Sequence, residues 1–278
     1  MLKKAIQFMV ISALAFAFLN AIVKYLGSFN AYQIVFFRSI GTLAFTIPFL
    51  LKHKISIYGN KRTLLIIRGI FGVTSMSLFF MSLKYLPIGS AVSLRYISPI
   101  FAAIFALFIL KEKIKPIQWL FFLVAFCGVL VLKGFDTQIG TTGLLLVIIS
   151  SFFSGLVFII IRKIGTSDHP VVVVNYFMMV ATLVGGILCI PYWKTPIGWE
   201  WALLLSLGVF GYIGQLYMTK AFQLAETNKA APLKYIEVIF TMLIGLTWFN
   251  ESYTIWSVLG IVLIVIGLTL NTYTKTSK

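Results

Sequence analysis

The chain has 278 residues, 60% hydrophobic, 16% aromatic and 11% charged, with a mean hydropathy of +1.01. Soluble domains carry roughly 25% charged residues, so a soluble globule of this composition could not cover its surface; a cytosolic enzyme, a disordered chain and an ordinary nucleic-acid binder are excluded. The net charge of +16, from 23 Lys+Arg against 7 Asp+Glu, falls mostly in short loops between apolar runs and reads as membrane topology rather than nucleic-acid affinity.

A helix crosses the hydrocarbon core in about 20 residues. Polar or Gly/Pro punctuation cuts the chain into ten such runs: 4–25, 30–51, 63–84, 87–110, 115–132, 141–163, 170–192, 198–222, 228–249 and 254–273. The first begins like a leader, with Lys3 and Lys4 and a cleavage-like Ala13-Leu14-Ala15. Its apolar stretch continues through Ala21-Ile22-Val23, too long for a leader's core, so it reads as a retained span. The second run carries Arg38, and the third Arg68, Gly69 and Gly72. The fourth holds Arg95 and Tyr96 ahead of Pro99, which should kink the helix and free a carbonyl. The eighth carries Tyr212 and Gln215; the ninth carries Lys234, Tyr235 and Glu237. Continuous apolarity over such lengths excludes β-barrel strands. Cys127 and Cys189 sit inside apolar runs and His53 and His169 in loops, a pattern that supports neither a disulfide framework nor a metal site; no cofactor is expected.

Basic residues set the orientation. Lys3 and Lys4, the loop with Lys52, Lys54, Lys61 and Arg62, the loop with Lys111, Lys113 and Lys115, then Arg162, Lys163, Lys229, Lys275 and Lys278 all fall on one side; the alternate loops hold little beyond Lys24, Lys84, Lys133 and Lys194. Both termini are expected in the cytoplasm. Trp193, Trp199, Trp201, Trp248 and Trp256 then gather at the outer boundary.

The chain also repeats itself at an offset of 139 residues. Gly69-Ile70-Phe71-Gly72 returns as Gly208-Val209-Phe210-Gly211, Arg95-Tyr96-Ile97 as Lys234-Tyr235-Ile236, and Glu112 as Glu251. Repeats spanning 4–132 and 141–273 hold five runs each, an odd number, so the second must enter the membrane upside down. The corner Lys111-Glu112-Lys113-Ile114-Lys115 keeps its Glu but has no lysine at Asn250-Glu251-Ser252-Tyr253-Thr254, where the inverted copy faces outward. The expected architecture is all-α, ten transmembrane helices in two inverted five-helix repeats, as in secondary transporters with a site at mid-membrane between the halves.

This layout, with Arg38 in the second run, the Leu83-Lys84-Tyr85-Leu86-Pro87 turn, Ser98-Pro99 and the paired Gly128 and Gly267, resembles the drug/metabolite transporter superfamily, EamA type, over nearly the whole chain. Lys111 and Asn250 stand where that family usually has glycine. Arg68-Gly69 with Gly72 resembles a subset of its members. The resemblance implies a multi-pass carrier of small organic metabolites in the cytoplasmic (inner) membrane, not an enzyme.

Charges inside spans are costly and mark function by default. Arg38 lies about 12 Å deep at helical rise. Arg95 and its repeat mate Lys234 are two cations that together can hold an anion, Arg as a planar fork and Lys as a point charge. Glu237 can neutralise Lys234 or an arginine, bind a substrate amine or couple a proton. Tyr96, Tyr235 and Gln215, with Tyr212 and Asn20, are candidate cavity liners. Arg68, a turn inside its span, reads as snorkelling, and Lys24, Lys84 and Lys220 as interfacial anchors. The glycines of the third and eighth runs are expected to pack near the pseudo-two-fold axis. The reading is a carrier for an anionic or zwitterionic, amino-acid- or carboxylate-like substrate. Its other partners are the bilayer and a coupling proton or exchange substrate; no nucleic acid is expected, and the protein is a monomer or homodimer. A membrane-embedded enzyme, a channel or a receptor is the alternative, but no Asp or His falls within a span and no filter-like or Walker-type segment occurs.

Overall fold

The computed structural model describes residues 2–111, 115–135, 140–225, 233–234 and 236–273. Among these residues there is no strand. The helices are α1 (Leu2–Tyr25), α2 (Ala31–Lys52), α3 (Arg62–Ser82), α4 (Ile88–Arg95), α5 (Ser98–Phe105), α6 (Pro116–Phe135), α7 (Thr141–Ile164), α8 (Pro170–Cys189), α9 (Trp199–Leu224), α10 (Ile236–Trp248) and α11 (Ile255–Tyr273). Seven helical stretches are long and apolar enough to cross a membrane, and Pro116–Val131, Ile236–Trp248 and Ile255–Gly267 are shorter apolar helices.

Local sequence explains the boundaries. Asn30 opens α2, its side-chain oxygen accepting from the Tyr32 amide at 2.9 Å. His169 does the same for α8 ahead of Pro170, whose missing N–H costs nothing at a helix start. The fourth run is interrupted between α4 and α5, as Pro99 demands: proline cannot donate to the carbonyl four residues back, which belongs to Arg95. The Ser151 hydroxyl of α7 takes that freed carbonyl at 3.1 Å. Beyond α5 the helix widens over Ala106–Leu110 and stops at Lys111, which is left-handed at φ 55°.

Packing follows a pattern. α2 lies on α8 and α6 on α11; α1 lies on α9 and α10, α3 on α7 and α8, α2 also on α9, α5 on α7, and α4 on α10. Exchanging every run for its counterpart five runs away returns the same set of pairs. Counterparts run antiparallel. Gln33 near the start of α2 bonds Lys194 beyond the end of α8, while Phe49 near the end of α2 stacks on His169 at the start of α8. In α6 and α11, Gly128 abuts the Gly260 carbonyl and Gly267 the Phe121 carbonyl.

The small-residue faces of the third and eighth runs each pack on a helix of the other half. Gly69 and Gly72 of α3 pack on Val180 and Phe177 of α8, and Gly208 of α9 packs on Gly41 of α2 so closely that a Cβ on Gly208 would stand 2.6 Å from Gly41 Cα. Between α3 and α9, Arg68 Nη2 donates to Gln215 Oε1 at 3.0 Å.

Candidate functional site

Between the two sets of helices lies a small cavity of about 40 Å³. This is room for water, whereas small-molecule pockets run to roughly 300–1,000 Å³. Arg38 of α2, Arg68 of α3, Arg95 at the end of α4 and Lys234 before α10 line it, joined by Asn20 of α1 and Gln215 of α9. The structure therefore brings together Arg38, Arg95, Lys234, Gln215 and Asn20 of the residues expected from sequence, whereas Tyr96 does not line the cavity. Tyr235 lies outside the described residues.

The cations rest on aromatic faces. The Arg68 guanidinium sits 3.9 Å from the centre of the Phe177 ring and that of Arg95 4.1 Å from Phe79. Arg38 faces Phe80 and Phe16, and Lys234 faces Phe158 and Phe16, at 5.3 to 5.8 Å. Such contacts stabilise a desolvated cation by about 2 kcal/mol. Among the described residues the ion pairs are Lys24–Glu251 and Lys194–Glu200; none involves these four cations.

Glu237 is 3% exposed and does not line the cavity. It lies behind Asn20 and Tyr96, whose Nδ2 and hydroxyl reach its two carboxylate oxygens at 2.9 and 3.0 Å. The Tyr96 hydroxyl also lies 2.6 Å from the Lys234 carbonyl, tying the broken fourth run to the ninth. Both Lys234 and Arg95 are in electrostatic reach of Glu237, though neither is bonded to it.

Arg68 is the cavity-lining residue that sequence reasoning placed elsewhere. It does not snorkel: it is 1% exposed and faces the cavity. Its place is set by Gly72, where a Cβ would come within 3.2 Å of Arg68 Nη1, just as the repeat-matched Gly211 clears space for Arg38 Nε. Both glycines are legible in sequence; the direction in which Arg68 leaves its helix is not. Serines form a further element. Ser75 of α3 bonds Ser150 and Ser154 of α7 at 2.7 to 3.2 Å, and Ser75 and Ser154 line the cavity wall. Tyr212 does not line the cavity and stacks on Phe45 instead.

Phe80 separates the cavity from a vestibule of about 270 Å³, which Lys24 and Lys84 also line. Lys24 is not a simple interfacial anchor. Its ammonium pairs with Glu251 at 2.5 Å and donates to the Leu86 carbonyl at 3.0 Å. Glu251 in turn accepts from the Ile88 amide at 2.9 Å, capping α4, and from the Tyr253 hydroxyl at 2.6 Å. Burial and the adjacent Glu251 carboxylate push the Tyr253 hydroxyl well above its ordinary range, so it remains a donor.

Comparison with known proteins agrees with this architecture. The EamA-like transporter family matches residues 3–133 and again 141–273. The pseudopaline exporter CntI of Pseudomonas aeruginosa is 29% identical over 99% of this chain and 98% of its own. Human solute carrier family 35 member G1 is 29% identical over 96% of this chain and 79% of its own. The S-adenosylmethionine uptake transporter of Rickettsia prowazekii is 26% identical over 87% and 83%. One solved crystal structure superposes on 99% of both chains with a TM-score of 0.73 at 19% identity, which shows the fold alone. With seven membrane-crossing helical stretches, transporter relatives and a family match over both halves, this chain is a multi-pass membrane protein of the EamA-like transporter family, a transporter and not an enzyme.

Proposed function

We propose that this protein is a secondary carrier of a small anionic or zwitterionic organic metabolite in the cytoplasmic membrane. In this reading ten spans form two inverted repeats, 4–132 and 141–273, with both termini in the cytoplasm. The repeats rock about the shared cavity so that it opens to each side in turn. The observation that carries the reading is the convergence of Arg38, Arg68, Arg95 and Lys234 on one small cavity. Four basic groups facing 40 Å³ cannot be a static packing solution at low cost, because an ionised group out of water needs a partner. A space that small admits no metabolite, so the helices around it must part for transport. The antiparallel counterparts and the exchange symmetry of the packing support halves that move as equivalents. The relatives that are exporters and importers support transport, and leave its direction to experiment.

Counterflow tests the function. Purified protein in liposomes loaded with a candidate anion should take up labelled anion against its gradient, with saturation. Passive conductance without saturation, or conversion of the solute, would overturn the reading.

A further inference from the structure

Resting on that carrier reading, we infer that the transported molecule carries at least two acid groups, one of them bound between the guanidinium groups of Arg38 and Arg68. Arg38 is 3% exposed and Arg68 1%. Yet Arg38 Nε, Arg68 Nε and Arg68 Nη1 have no hydrogen-bond partner among the described residues. Their remaining contacts are soft or neutral: Met76 sulfur for Arg38 Nη1, and the Gln215 amide oxygen for Arg68 Nη2. Unpartnered donors on buried guanidinium groups are expensive. Gly72 and Gly211 keep the space beside these nitrogens clear. Planar forks lying on aromatic faces with free N–H edges are suited to a carboxylate, which accepts two parallel bonds.

The charge count favours a second acid group. Four cations line the cavity, and among the described residues the one buried carboxylate near them, Glu237, offsets only one of them. Glu237 has Arg95 and Lys234 in electrostatic reach and stands behind Asn20 and Tyr96. It acts as a fixed counter-ion for that pair, not as a receptor for a substrate amine. A monocarboxylate on Arg38 and Arg68 would leave the Arg95–Lys234 end still in excess of Glu237. A second acid group reaching that end balances it, and one positive charge remains at the Arg38–Arg68 end. A cationic substrate would add like charge to a cavity already net positive.

The test is binding to the full-chain protein in detergent, by thermal shift and titration calorimetry, over a charge series. The panel comprises straight-chain dicarboxylates and tricarboxylates, monocarboxylates of the same lengths, and choline and arginine as cations. The best binder should carry two or more acid groups and bind at least about tenfold more tightly than the monoacid of equal length, the scale of one charge-assisted bond. Arg68→Gln and Arg38→Gln should each weaken the diacid by about tenfold or more and narrow its lead over the monoacid, while Arg68→Lys falls in between. A best binder with one acid group or none, a panel without a binder, or Gln variants that bind as wild type would overturn the inference. If the variants do not elute as folded protein, the wild-type series decides alone. Counterflow separates the two levels: saturable exchange of monoacids or cations without diacids ends this inference and spares the carrier, and diacid binding without exchange does the reverse.

Discussion

At the scale of single residues, two repeat-matched positions show how backbone geometry constrains side-chain choice. Lys111 and Asn250 both adopt the left-handed conformation, at φ 55° and 48°, each just before the repeat's loop glutamate. Asn visits this region readily; a long side chain with a Cβ does so at a cost of about 1–2 kcal/mol. Lys111→Gly should therefore stabilise the protein by about 1 kcal/mol, after allowing for the freer unfolded chain, raising Tm by about 2–4 °C. Asn250→Gly should do less. A thermal melt in detergent checks both, and a fall in Tm for Lys111→Gly would mean its ammonium, not its backbone, dominates there. The positions were legible in the sequence because they stand where the family carries glycine, and the positive φ supplies the reason. Arg68 was not legible in the same way. Depth along a helix is readable from residue count, but the side of the helix is fixed by what packs on Gly72, and that is a tertiary fact. Glu237 was found as a buried acid but its orientation was not, because Asn20 and Tyr96 come from helices far away in sequence.

At the scale of elements, the break between α4 and α5 is the clearest case of sequence carried through to structure. Pro99 removes one donor, the Arg95 carbonyl is released, and Ser151 receives it, so the end of α4 and its cavity-facing arginine are held against α7. The other end of α4 is held by the cluster of Lys24, Glu251 and Tyr253, which joins α1, α4 and the loop before α11. Its energetics are asymmetric. Lys24→Ala leaves Glu251 bonded to the Ile88 amide and Tyr253 and should cost about 1 kcal/mol, close to an exposed pair because Lys24 is partly in contact with solvent. Glu251→Ala strips the cap from α4, the partner from Lys24 and the acceptor from Tyr253, and should cost about 2–4 kcal/mol. Melting temperatures of the two variants should differ in that order; equal losses would show that the ion pair, and not the helix cap, is the main contribution. The lysine and the glutamate were each visible in the sequence, one read as an anchor and the other as a loop motif. Their pairing, 227 positions apart in the chain, was not, since no periodicity links them.

At the scale of the whole molecule, the offset of 139 residues in the sequence reappears as contact geometry. Because counterpart helices are antiparallel, the two faces of the molecule are built from different halves of each repeat. At one end the loop after α2 meets the loop before α8, where the Asn60 and Lys61 amides donate to Asp168 at 2.5 and 3.0 Å. At the other, Gln33 meets Lys194. The first end carries Lys52, Lys54, Lys61 and Arg62, and the second carries the exposed tryptophans Trp193, Trp199 and Trp201. If basic residues set orientation, the first end is cytoplasmic. The chain has only two cysteines, Cys127 and Cys189, so a cysteine-free background is readily made. Single cysteines at Lys54 and at Thr166 should then react with a membrane-impermeant maleimide only after the cells are opened, as should tags on both termini, whereas one at Lys194 should react in intact cells. Because Lys54 and Thr166 lie in different repeats but at the same end, their joint protection tests the inversion itself. A Thr166 cysteine labelled from outside while Lys54 stays protected would place the second repeat the same way up as the first, and the shared cavity would then have no symmetric partner half to move against.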